Sequence, residues 1–349
     1  MRKKSEQKTV FVGVSGGVDS SVSAALLKDQ GYTVVGVFIR TWQPDFIECT
    51  WRDERRDAMR VCAHLGIPFL ECDGEETYKK GVAEYMIEEY KRGNTPNPDV
   101  MCNREVKFGV FWDFAKAHGA DFIATGHYAV NKNGLHASPD ISKDQSYFLW
   151  TLTQEDLSHT LFPIGHLHKT QVRKLADKYG LPTATKKDSQ GVCFLGPLDM
   201  KEFLMHYIEA KQGDVLDEKG NIIGSHDDAV FFTLGERHGF SVTAKTSTDK
   251  PLYVIAKDME NNTITVSESF EPNSADNMHA LIRTNWSTMP GDKEYTAQIR
   301  YHGEQLPCHI EIKDENQAQI TFEKPTLVSP GQSIVVYTQG LCLGGGIVK

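Results

Sequence analysis

The segment Ser15-Gly16-Gly17-Val18-Asp19-Ser20-Ser21 constrains this chain more than any other. It follows an apolar, β-branched run at residues 9–14. Residues 20–30 come next, with Val22, Ala25 and Leu26 at helical spacing up to Gly31. A strand must therefore turn sharply into a helix. Two adjacent glycines let the backbone turn and approach a ligand without Cβ clashes. The helix presents unpaired N–H groups and the positive end of its dipole. Such a nest suits phosphate oxygens. The Ser15, Ser20 and Ser21 hydroxyls can add donors, and Asp19 can hold magnesium or cap the helix. The string is neither G-x-x-x-x-G-K-[ST] nor G-x-G-x-x-G, and it has no lysine to reach a transferring γ-phosphate.

The βα alternation continues through the first half. Residues 33–39 read as a strand, 53–65 as a helix stopped by Gly66, and 67–71 as a short strand. One helix runs through Tyr78, Val82, Tyr85 and Met86 to Gly93. Another carries Phe108, Phe111 and Ala115 to Gly119, before a strand at residues 121–125. This order predicts an α/β fold with a mostly parallel sheet covered on both faces. Beyond residue 210 the period changes. Residues 253–256 and 263–267 read as a hairpin, and alternation recurs at 280–283, 296–301, 308–313, 317–322 and 333–337. The expected units are 1–210, a small β-rich domain at 211–274, and an antiparallel β-barrel at 275–349.

A net charge of −9 over 349 residues argues against wholesale nucleic-acid binding. An anionic partner would need a local basic patch. Lys169, Arg173, Lys174, Lys178, Lys186 and Lys187, opposed by Asp177 alone, form either such a patch or a solvated helix face. No apolar run approaches the length of a membrane span, and residues 1–8 read as a solvated tail. A cytoplasmic, membrane-free location is expected. Seven cysteines (49, 62, 72, 102, 193, 308, 342) form no C-x-x-C, which disfavours a zinc ribbon or a local iron–sulfur site. Cys62 falls with Ala58, Val61 and Leu65 on one apolar helix face.

Two cysteines stand in polar loops. Residues 94–104 carry two stiffening prolines, and Cys102 is expected two residues before a helix. That position, with Arg104 close, should lower its pKa. Residues 186–196 are glycine-bracketed around Cys193, where Lys186 and Lys187 could stabilise a thiolate. Alone, the first loop reads more readily as a capped helix start, and Cys193, followed by Phe194 and Leu195, as a buried residue.

The first string resembles the S-G-G-x-D-S loop of the PP-loop ATP pyrophosphatase superfamily. With four further strings, Thr95–Asn103, Ala124–Ala129, Lys143–Leu149 and Lys187–Phe194, the chain resembles the tRNA 2-thiouridylase family in motif order and spacing. The resemblance covers the chain to about residue 205 closely and the remainder in length and class. It implies a Rossmann-like, adenine nucleotide alpha hydrolase-like first domain and 2-thiolation of a wobble uridine in tRNA. ATP and magnesium would serve as cofactors, with a persulfide sulfur-relay protein as donor. ATP would lie on Gly13 to Ser20, that is Gly13, Val14, Ser15, Gly16, Gly17, Val18, Asp19 and Ser20, with Ile39 and Gly126 near the adenosine. Cys102 would be the nucleophile, attacking either the activated base or the persulfide, with Cys193 the persulfide carrier and Asp99 the acid/base. Paired, the two cysteines would also be able to form a disulfide. Asn97, Pro98 and Asp99 would hold the target base. Lys143, Asp144, Gln145, Arg300 and Tyr301 would contact tRNA. Other PP-loop amidating or thiolating enzymes, and a non-catalytic ATP-sensing module, are the rival readings. The missing C-x-x-C disfavours iron–sulfur thiolases, and a mere sensor leaves both loop cysteines unexplained.

Overall fold

The computed structural model describes residues 7–47, 51–188, 191–196, 199–243, 250–269, 277–291 and 294–349. Cys49, Ser189 and Gln190 lie outside them. β1 (Thr9–Gly13), β2 (Thr33–Arg40), β3 (Phe69–Asp73), β4 (Phe122–Ala124) and the short β7 (Thr160–Leu161) form one parallel sheet in the order β3-β2-β1-β4-β7. β1 reads Thr-Val-Phe-Val-Gly with its three middle residues buried on both faces, as a central parallel strand requires. The strand order reverses between β1 and β4, which creates the crevice where ligands of open α/β sheets bind. The glycine string leaves the end of β1, and Thr125-Gly126-His127 leaves the end of β4. Both motifs therefore meet at one crevice.

Between β4 and β7 runs a hairpin of β5 (Ala129–Asn131) and β6 (Leu135–Ala137). It belongs in sequence to the first unit but in space to the last. The middle unit is a mixed sheet of β8 (Gly213–Leu216), β9 (Ile222–His226), β10 (Phe240–Val242), β11 (Tyr253–Asp258) and β12 (Thr263–Ser267). Its β11–β12 pairing is the expected hairpin. The last unit runs β13 (Met278–Trp286), β14 (Tyr295–Gln298), β15 (Leu306–Ile312), β16 (Gln317–Phe322), β17 (Ser333–Thr338) and β18 (Leu341–Val348). Antiparallel pairing in the order β13-β16-β15-β14-β17-β18, closed by β13 against β18, makes a six-stranded barrel. Among the described residues no helix is long and apolar enough to cross a membrane.

The alternation pattern anticipates every barrel strand but the last. Gly344-Gly345-Gly346 reads as a break, because glycine weakens a strand. Closure explains it: a Cβ on Gly345 would lie 2.3 Å from the Ile334 carbonyl oxygen, and one on Gly344 2.0 Å from that of Asn285. The strand exists because its glycines admit neighbouring backbones.

The barrel also braces the first unit. β18 pairs with β6 at Leu341 and Cys342. The Tyr147 hydroxyl donates to the Ser333 carbonyl at 2.9 Å, and the Trp150 indole to the Ser333 hydroxyl at 3.1 Å. The Thr95 amide donates to Pro330 O, and Gln332 returns a bond to Thr95 O, both at 2.7 Å. Val335, Tyr337 and Ile347 accordingly share one apolar core with Phe111, Ile123 and Leu149. Gly345→Ala is expected to destabilise the chain by at least about 1–3 kcal/mol through backbone overpacking. A denaturant midpoint equal to wild type would show that the closure is looser than its pairing.

Candidate active site

At the crevice, Gly16 has a φ of 73°, which a glycine adopts without cost. A Cβ on Gly126 would lie 2.7 Å from the Ser20 amide, so only glycine lets the two motif loops close on each other. Ser15 is exposed, and its amide and hydroxyl both lie against the Ser20 hydroxyl, at 3.2 and 3.3 Å. Ser21 is buried and spends its hydroxyl on Gly17 O at 2.7 Å, so it is no open donor. Gly17 occupies the cap position of the helix Val18–Asp29 without a side-chain cap. Asp19 is therefore not a cap. Its carboxylate faces the crevice, taking the Tyr128 hydroxyl at 2.8 Å and the Lys169 ammonium at 2.8 Å on both oxygens. Val14 and Ile39, at the ends of β1 and β2, are both buried, in separate apolar clusters.

Lys169 corrects the reading of the basic run. It does not face solvent: its ammonium sits between Asp19 and Asp188, 2.8 Å from each. Arg173 is likewise turned inward, holding Asp188 at 2.5 Å and the carbonyls of Ala184 and Lys186. Lys186 pairs with Asp57 at 2.8 Å. Lys174 and Lys178 stay exposed on the helix Lys169–Lys178. An aspartate-lined crevice recruits these cations, which sequence spacing alone assigns to one surface. Lys143 is the third cation on Asp188, at 3.0 Å.

The second cluster lies around the two loop cysteines. The helix begins earlier than expected: Asn97 caps it by accepting from the Asp99 and Val100 amides, and Pro98 takes the first position. Cys102 is thus the last residue of Pro98–Cys102, not a residue ahead of a helix. Arg104 is exposed and paired with Glu105 at 2.6 Å, so it does not approach the thiol. Burial, then the hydrogen bond to Cys193, raises the Cys102 pKa well above that of an ordinary thiol, the reverse of the expected lowering.

Cys193 is brought from the other loop to a sulfur–sulfur distance of 3.5 Å, with Cys102 donating. Its backbone is clamped on both sides. Its amide donates to Asp99 Oδ1 at 3.0 Å, and its carbonyl accepts from the Tyr78 hydroxyl at 2.8 Å. Phe194 follows with a φ of 66°, a strained value for an aromatic residue, inside a turn closed by Val192 and Gly196. Gln43 holds its carbonyl at 3.0 Å and Tyr78 meets its ring edge-on at 6.0 Å. The Cys193 pKa is lowered, first by the Cys102 hydrogen bond and then, against burial, by the Lys107 charge. Lys186 and Lys187 do not supply that charge as expected, since Lys186 is held by Asp57.

Lys107 is the residue sequence reasoning misses. Burial alone would lower its pKa, but Cys193, Cys102 and Asp99 outweigh it and raise it. A lysine between the buried Val106 and Phe108 was the available signal. Asp99 is raised by burial, against its bond from Cys193 and the charge of Lys107. His127 is a packed, neutral residue: burial and then Lys107 depress its pKa, and Thr125 bonds its Nδ1 at 2.7 Å. Asp144 and Gln145 are spent internally, on the Ser138 and Tyr128 amides at 2.8 and 3.0 Å. Tyr301, on the barrel, packs 4.5 Å from Phe148, and its pKa is raised to about 12 by burial, Asp144 and Asp99. Arg300 beside it is exposed.

Family models of a tRNA methyl transferase HUP domain, a tRNA methyl transferase PRC-barrel domain and an aminomethyltransferase beta-barrel domain match residues 8–197, 201–268 and 278–348. A tRNA-specific 2-thiouridylase MnmA of Enterococcus faecalis is 42% identical, covering 97% of this chain and 94% of its own length. One from Francisella tularensis subsp. holarctica is 41% identical over 98% and 99%. The chain belongs to the tRNA-specific 2-thiouridylase family. A solved U34-tRNA thiolase NcsA from Methanococcus maripaludis is 18% identical, with a TM-score of 0.38 over 58% of this chain and 65% of that one.

In this member of the 2-thiouridylase family Asp188 joins the two clusters, since it opens the Cys193 loop and answers to Lys169 at the phosphate loop. Its ammonium partners outweigh burial and depress its pKa to about 2. The stabilisation is present above the unfolded value of about 4 and is lost as pH falls through about 2, a difference of about 2 kcal/mol. Asp188→Asn should therefore be less stable than wild type at neutral pH, with the gap closing between about pH 4 and pH 2. A pH-independent gap in denaturant titrations would show that the carboxylate charge is not what the cluster uses.

Proposed function

We propose that this chain is an ATP-dependent tRNA sulfurtransferase that replaces the 2-oxygen of the wobble uridine with sulfur. The observation that carries this reading is the 3.5 Å approach of Cys102 and Cys193, from segments 91 residues apart, in a unit that also carries the glycine loop. Family membership supports the substrate. The three-domain division at about residues 210 and 275 belongs to the same proposal.

The uracil 2-oxygen is a poor leaving group. Transfer of AMP from ATP makes it a good one, with pyrophosphate departing. The Gly13–Ser20 loop binds the phosphates through backbone N–H groups, and Lys169 contributes the cation the loop itself lacks. Asp19 is the residue that would hold magnesium, which would neutralise the departing pyrophosphate. One carboxylate plus phosphate oxygens is a usual donor set for that ion. Among the described residues no three-ligand His, Cys, Asp or Glu group could hold a metal unaided.

A sulfur-relay donor protein loads Cys193 as a persulfide. Its terminal sulfur attacks carbon 2 and AMP leaves. Cys102 then attacks the Cys193 sulfur, so the carbon–sulfur bond stays with the base and a Cys102–Cys193 disulfide forms. An external thiol reduces it before the next turnover. Asp99, raised by burial, exchanges the proton, and Asn97 and Pro98 fix the start of the helix on which it stands. The target base would be extruded to reach the sulfurs. Tyr301 offers it an aromatic face and the exposed Arg300 stands beside it, while Lys143, Asp144 and Gln145 act through their internal bonds, shaping the segment rather than meeting tRNA directly.

Cys102→Ser and Cys193→Ser should each abolish 2-thiouridine formation, read by nucleoside mass spectrometry, while ATP binding persists. Labelled ATP should yield AMP and pyrophosphate only when tRNA is present. ADP and inorganic phosphate as primary products would sink the assignment. For tRNA binding, Lys174→Gln with Lys178→Gln should lower the log–log salt slope by about one per lost phosphate contact and leave ATP binding alone. An unchanged slope would mark this face as merely solvated.

A further inference from the structure

We infer that Lys107 is a positioning residue that holds Cys193, rather than Cys102, as the thiolate that accepts sulfur. This rests on the sulfur-transfer reading above and adds a residue to it.

The geometry begins in the helix. Asn103–Val110 is a π-helical segment set between Pro98–Cys102 and Phe111–Ala117. In a regular α-helix a residue five positions on points about 140° away from the first. A π-turn adds a residue per turn and brings i and i+5 toward one face. Cys102 and Lys107 stand at that spacing. The Lys107 ammonium lies 5.7 Å from the centre of the Phe194 ring, directly after Cys193, and its charge acts on Cys193 first and Cys102 next. The widened turn thus delivers a cation to a thiol on another loop.

The remaining charged and titratable groups leave Lys107 to set the charge. From its own helix, Asp99 faces Cys193 as an acceptor for the Cys193 amide, and Cys102 as a hydrogen donor. From the helix segment Glu75–Tyr78, Tyr78 reaches the Cys193 carbonyl and is kept protonated, its pKa raised by burial and both sulfurs. Behind Lys107, His127 stays neutral. From the barrel, Tyr301 stays protonated near neutral pH. Arg104 and Lys186 are committed to Glu105 and Asp57. The cation favours negative charge on the pair, and it falls on Cys193, which already accepts the Cys102 hydrogen bond and precedes the Phe194 ring under the ammonium. The Cys193 thiolate then attacks the terminal sulfur of a donor persulfide. The new bond is Cys193 sulfur to that sulfur, the donor sulfur–sulfur bond breaks, and the electron pair leaves on the donor thiolate.

The test is alkylation of the full chain without ATP or tRNA, with sites assigned by peptide mass spectrometry across a pH series. Wild-type Cys193 should react with a midpoint below the ordinary thiol value of about 8.5 and ahead of Cys102. Lys107→Met and Lys107→Gln should raise that midpoint by about one pH unit or more, about a tenfold loss of thiolate at lower pH. Lys107→Arg should recover most of the shift. A lysine that served packing alone would change exposure of both thiols but leave the midpoint in place. An unmoved midpoint in either folded neutral variant overturns the proposal. So does Cys102 reacting first in wild type, which stays decisive if both neutral variants unfold. Because alkylation needs neither co-substrate, lost thiolation with an intact alkylation profile would count against the sulfur-transfer reading instead.

Discussion

One carboxylate ties the glycine-loop crevice to the cysteine pair. Asp188 meets Lys143, Lys169 and Arg173 within 3.0 Å, and Lys169 shares its charge with Asp19 on the phosphate loop. Partly buried charges are costly unless paired and hydrogen-bonded, so removing one member strands the others. The cluster therefore sets the distance between the loop that would bind ATP and the loop that carries Cys193. Sequence distance makes this necessary: Asp19 and Asp188 belong to opposite ends of the first unit, and the helix Lys169–Lys178 is the element that spans them.

The barrel imposes a second constraint from outside that unit. Its residues Pro330, Gln332 and Ser333 hold Thr95, Tyr147 and Trp150, which lie in or behind the two loops that frame Cys102. The β5–β6 hairpin extends the barrel sheet along β18, so the segment just after the Gly126 turn is fixed by barrel pairing as well as by the parallel sheet. A loop of polar residues at a crevice would otherwise sample many conformers at about 1–2 kcal/mol of backbone entropy per residue. Docking against the barrel removes that freedom before any substrate arrives.

Much of this was legible because it is local. The β1 run, the glycine string and the helix behind it follow from periodicity and backbone sterics within about twenty residues. So do the alternating barrel strands. What escaped depends on partners far along the chain. Gly344 to Gly346 look like a break until the strands that crowd them are known. The 129–137 hairpin has too little sequence to announce a barrel partner. Lys169, Arg173 and Lys186 look like one basic face, yet each answers to an aspartate elsewhere. Cys102 was placed before its helix because Asn97 and Pro98 were read as loop formers, although an Asn cap followed by Pro is equally a helix start.

The two thiols show how position outweighs residue type. Both are cysteines in polar, motif-bearing loops, and sequence reasoning would lower the pKa of either. Cys102 lies fully buried under the helix, where desolvation opposes charge, and it keeps its proton to donate. Cys193 is half-buried on a strained turn and receives that donated hydrogen bond together with the Lys107 charge. Donation and charge act in the same direction, favouring the proton on Cys102 and negative charge on Cys193. Two identical thiols at 3.5 Å would repel if both ionised. The donated hydrogen bond comes first and the cation on the π-turn adds to it, so the pair is unequal, and an unequal pair is what a sequential exchange between two sulfurs needs.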